Sequence, residues 1–95
     1  MNSELLEEVK ASLGITIEDE LIDRNIALKI DVVKQYLINA GLTINEEALT
    51  ADIIGCIATG VNDLLNNKAG ETKFSPAFNM LAMQICSKGW LNAIY

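Results

Sequence analysis

Residues 49–65 read LTADIIGCIATGVNDLL. Wound as a helix, the stretch is apolar on two sides. Leu49, Ile53, Ile57 and Leu64 form one side, and Ile54, Ala58, Val61 and Leu65 the other. Asp52, Thr59, Asn62 and Asp63 leave only a polar strip. A helix apolar nearly all round has to be covered by neighbours, which predicts a central helix in an all-helical bundle. Gly55 and Gly60 each cost about 1 kcal/mol relative to alanine in such a helix. Close approach of a neighbouring helix is the expected compensation, with a hinge as the alternative.

Moving outward toward the N-terminus, the central helix is expected to start near Thr43 or Asn45. Thr43 with Glu46 makes a capping box; alternatively Asn45 caps, with Ile44 and Leu49 as a hydrophobic staple. Before it, Ile22, Ile26, Ile30, Val33 and Leu37 form a long apolar stripe that predicts a second helix closed by Gly41. Thr16 followed by Asp19 supplies a start signal after residue 16. A first helix runs from Asn2 or Ser3 to Leu13, with Leu5, Leu6, Val9 and Leu13 at helical spacing and Gly14 as its stop.

Toward the C-terminus, residues 66–73 form a polar loop. Ser75-Pro76 opens a fourth helix, with serine at the N-cap and proline in the first turn. Phe78, Leu81, Ala82 and Ile85 give its buried face, and Gly89 is the expected end. The expectation is one all-α domain over 1–95, a compact bundle of about four helices. It has one long central helix pair, a polar loop before the last helix, and residues 89–95 as a candidate interaction tail.

Composition narrows the function. Half of the 95 residues are apolar and 21% are charged, which excludes a disordered chain. Acids outnumber bases 13 to 7, so the mean field repels a polyanion and argues against specific nucleic-acid binding. The excess is confined to residues 1–48, with ten acids and four bases; residues 49–95 carry three of each. One end of the molecule is therefore expected to be acidic and the other nearly neutral. No histidine is present, which removes the commonest general base and the commonest zinc ligand. Ser3, Ser12, Ser75 and Ser87 thus have no histidine to activate them. Cys56 and Cys86 read as buried thiols, too few for a zinc site. No catalytic, cofactor-binding or metal-binding residue is assigned, and an enzyme is not expected. No stretch has the ~20 apolar residues of a membrane span. The start, Met1 to Glu8, does not read as a signal peptide, so a cytoplasmic origin is expected.

Two groups of residues stand out as contact candidates. Met80 and Met83 lie off the Phe78/Leu81/Ile85 face, and Trp90, Leu91, Ile94 and Tyr95 crowd the end of the chain. Such side chains suit either core packing or a partner surface. Lys68, Glu71 and Lys73 mark the polar loop as a second contact candidate. Glu18, Asp19, Glu20 and Asp23 form an acidic cluster at a helix start, where carboxylates also stabilise the helix dipole.

The order of features resembles a family. LLEEVKASLGI at 5–15 is followed by EDELI at 18–22, a long helix ending near Tyr36-Leu37, and GVNDL at 60–64. Gly70-Glu71, then KFSPAF at 73–78 and Gln84, complete the pattern. Together they resemble the small head–tail connector (adaptor, or head-completion) proteins of tailed bacteriophages and prophages. Many relatives carry Gln-Leu-Arg near the end; here Gln84 is followed by Ile85 and Cys86, with no basic residue. The resemblance implies an all-helical, non-enzymatic subunit without a cofactor. It implies a homo-oligomeric ring docked beneath the portal protein, extending the DNA channel and offering a platform to a stopper or tail-completion protein. The site would be the virion head–tail junction, reached from the host cytoplasm. In that setting Glu18, Asp19, Glu20 and Asp23 would line the channel, where repulsion of phosphate lets DNA slide. The rival reading is a small helical regulator that binds one partner through its last helix.

Overall fold

The computed structural model describes residues 3–44, 49–68, 71 and 73–94, with side chains described at 4–44, 49–68, 71 and 73–86. Four helices follow one another: α1 (Ser3–Ser12), α2 (Glu20–Asn39), α3 (Ala51–Asn66) and α4 (Pro76–Ile94). The all-α bundle expected from the periodicity is the fold observed. α3 packs against α1, α2 and α4 and is the central helix.

Two glycines end the first two helices for a stereochemical reason. Gly14 and Gly41 have φ of 73° and 106°, a left-handed region that side chains with a Cβ disfavour. Both close the same motif. Gly14 N–H donates to the Ala11 carbonyl and Ile15 N–H to that of Lys10. Gly41 N–H donates to the Ile38 carbonyl and Leu42 N–H to that of Leu37, with Leu37 and Leu42 both buried.

The helix starts differ from the sequence expectation. α2 begins at Glu20, not after Thr16. Asp19 is its N-cap, and one carboxylate oxygen accepts from Leu21 N–H at 2.9 Å and Ile22 N–H at 3.2 Å. Ile15 is still bonded to the end of α1, so the chain uses residues 15–19 to turn back before winding again. At 20 residues, α2 spans about 30 Å. Ile22, expected in the buried stripe, lies at the surface. α3 begins at Ala51, after Thr50, and not near Thr43 or Asn45. Asn45 and Glu46 lie outside the described residues. Leu42, Ile44 and Leu49 lay their side chains on the core from the connecting segment. Leu42 is buried and Ile44 and Leu49 are partly buried, although none of the three belongs to a helix.

α4 begins where Ser75-Pro76 predicts: the Phe78 N–H donates to Ser75 Oγ at 3.2 Å. It continues through Gly89 to Ile94, so the expected stop is overridden. One glycine costs a helix only about 1 kcal/mol, and no proline follows to enforce a break. The core joins Leu5 and Val9 of α1, Ile26, Ile30, Val33 and Leu37 of α2, Cys56, Ile57 and Val61 of α3, and Phe78 and Ile85 of α4.

Candidate interaction surfaces

The seat of α4 determines what it presents. Asp63 on α3 accepts two hydrogen bonds from Ser75 through one carboxylate oxygen, from Oγ at 2.8 Å and from the backbone N–H at 2.9 Å. The same hydroxyl oxygen accepts from Phe78 N–H, so the cap of α4 is tied directly to α3. Phe78 is fully buried, and its ring stacks on Phe74 with centroids 4.2 Å apart. Tyr36 of α2 tilts against both rings, at 4.9 Å and 5.6 Å. Gly60 lets this cluster reach the α3 backbone. A Cβ there would lie 2.6 Å from Phe78 Cε1 and 3.0 Å from Val33 Cγ1. Close approach, the expected compensation, therefore holds at Gly60. At Gly55 no neighbouring atom lies within 4 Å of such a Cβ.

Seated in this way, α4 turns Met80 and Met83 outward, 61% and 69% exposed. Met83 borders an open groove of about 530 Å³ with Tyr36, Ala40, Asn79, Ala82 and Cys86. Trp90, Leu91 and Ile94 belong to the final turns of α4, but their side chains, and Tyr95 entirely, lie outside the described residues.

Cys56 is buried in α3 and Cys86 partly buried in α4, and both are free thiols. Burial pushes the Cys56 thiol up to about 11, with smaller upward pushes from Cys86 and Asp52. The thiolate is the reactive form, so Cys56 is inert near neutrality. Iodoacetamide at neutral pH should therefore modify Cys86 well before Cys56, read by peptide mass spectrometry. Equal or reversed rates would show that the Cys56 sulfur is not buried.

The acidic cluster divides. Glu18, Asp19 and Glu20 are exposed at the start of α2, and Asp19 spends its carboxylate on the cap. Asp23 turns inward to Lys10 of α1, 2.7 Å away. The Asp23 hydrogen bond holds the Lys10 ammonium above its usual 10.5, against the opposing effect of burial. Asp23 is thus an α1–α2 tie. In the loop, Lys68, Glu71 and Lys73 are all exposed. The backbone is pinned there by Glu71 N–H on the Lys68 carbonyl and by the Asn67 amide on the Lys73 carbonyl, both at 3.0 Å.

One surface escaped the sequence reading. On α2, Leu21, Leu28, Val32 and Tyr36 are exposed, at 74%, 60%, 45% and 42%. Leu21, Leu28 and Val32 stand at i, i+7 and i+11, on the side of the helix opposite Ile26, Ile30, Val33 and Leu37. The spacing was visible in the sequence. The stronger inward stripe masked it.

Among the described residues, no group of three His, Cys, Asp or Glu side chains could hold a metal ion. No helix among them is long and apolar enough to cross a membrane. Comparison with protein-family models, with curated proteins and with solved structures finds no match.

Proposed function

We propose that this chain is a structural connector subunit of a tailed bacteriophage or prophage. It forms a ring beneath the portal protein, extends the DNA channel, and offers a platform to a stopper or tail-completion protein. The observation that carries the reading is exposed apolar side chains on two separate helices, Leu21 and Leu28 on α2 and Met80 and Met83 on α4. Small monomers rarely leave such side chains unused, and a ring subunit needs two different contact faces, one for each neighbour. The order of helices and helix-start residues that resembles the connector family supports the same reading. Glu18, Asp19 and Glu20 would then face the passing DNA and keep it from sticking. In this reading the protein performs no reaction and holds no cofactor.

Electron microscopy of the purified protein mixed with tail-less, DNA-filled capsids tests it. The expected result is annular density added at the portal vertex. Capsids that keep a bare portal vertex at saturating protein would refute the connector assignment.

A further inference from the structure

The outward face of α2 carries a pattern more specific than exposed apolar area. Leu21, Leu28 and Val32 make a straight stripe along the helix. Arg24 and Asp31, both exposed and seven residues apart, lie together along one flank of that stripe on either side of Leu28. The charges at the two ends of the helix also differ. Glu18, Asp19 and Glu20 cluster at its start, while the single charged residue of 32–40 is a base, Lys34.

We propose that this face of α2 pairs with the same face of a second copy of the chain, antiparallel, about a two-fold axis beside Leu28. Such an axis sets Leu28 next to the partner's Leu28 and Leu21 against the partner's Val32. A residue on one flank stays on that flank after the rotation. Arg24 therefore comes level with the partner's Asp31, and Asp31 with the partner's Arg24, giving two ion pairs from one symmetric contact. The antiparallel sense also moves each acidic helix start away from its twin and toward the end of the partner helix. A parallel pair would instead set Glu18, Asp19 and Glu20 beside the same acids. The helix dipoles favour the antiparallel sense for the same reason. Charge complementarity thus selects a second copy, and selects its orientation. The dimer is the form of the free chain, and assembly into a ring would exchange the α2–α2 contact for one with the neighbouring subunit. The pairing rests on α2 alone and not on the connector reading, so a failure of capsid binding leaves it standing.

Sedimentation equilibrium of the full chain tests the pairing in the absence of capsids. The mass should rise with concentration from one chain to two. Leu28→Glu should remain monomeric where the parent is dimeric, with its far-ultraviolet circular dichroism unchanged because Leu28 is exposed in the single chain. Arg24→Asp or Asp31→Arg alone sets like charges together at both symmetric positions and should weaken the dimer about tenfold. The double variant Arg24→Asp/Asp31→Arg should restore it, and it depends on no change to the core. A chain monomeric at every concentration overturns the proposal. So does a dimer indifferent to Leu28→Glu, a double variant no tighter than the single ones, or assembly directly into larger rings.

Discussion

Phe78→Ala is expected to remove about 3–5 kcal/mol of stability, the largest loss of any single truncation among the described residues. The side chain is fully buried. It stacks on Phe74, leans against Tyr36 and lies against α3 at Gly60. Truncation removes the burial, two aromatic contacts and the wedge that seats α4 on α2 and α3. The surrounding side chains cannot fill the void easily, because Val33 and Val61 are themselves completely buried. A domain of this size has about 5–15 kcal/mol in total, so the variant loses a large fraction of it. Urea titration followed by far-ultraviolet circular dichroism measures the loss. A loss below about 1 kcal/mol would mean that Phe78 is not the keystone of the α4 contact.

Gly60→Ala and Gly55→Ala are expected to change stability in opposite directions, although they are the same substitution in the same helix. Alanine is better than glycine in a helix interior by about 1 kcal/mol, and that gain is available at both positions. At Gly55 it stands alone, since the added methyl meets no neighbouring atom within 4 Å. At Gly60 the methyl would lie 2.6 Å from Phe78 Cε1, 2.9 Å from Cδ1 and 3.0 Å from Val33 Cγ1. Both neighbours are fully buried and neither has room to retreat. Overpacking a tight core costs about 1–3 kcal/mol, so the steric term outweighs the propensity gain. Chemical unfolding of the two variants side by side decides the matter. If Gly60→Ala is as stabilising as Gly55→Ala, α4 does not press on α3 at this point. The coupling has its own signature: Gly60→Ala should cost less when Phe78 is already leucine.

The contrast between these glycines shows what could and could not be read before folding. Both look alike in the sequence, two glycines five residues apart in an apolar helix. Only the approach of Phe78, eighteen residues further on, and of Val33 on α2 separates them. Among the contact candidates, Met80 and Met83 were legible because their spacing sets them off the Phe78/Leu81/Ile85 face, and both are exposed. The exposed loop charges Lys68, Glu71 and Lys73 were legible from polarity alone. Asp23 was not, because its role depends on Lys10, which belongs to another helix. The tie from Asp63 to Ser75 was hidden for the same reason.

The amino-acid sequence by itself determined the number and order of helices, their apolar faces, the glycine stops of α1 and α2, and the Ser75-Pro76 start of α4. All of these follow from interactions within a turn or two of chain: periodicity, left-handed glycine and local capping. Tertiary structure decided that Gly60 and not Gly55 is the point of close approach, that Asp23 ties α2 to Lys10, and that Asp63 holds the start of α4. Those outcomes depend on groups distant in the chain that folding brings together. Helical periodicity marks a face as apolar, but only a neighbouring element can take it out of water.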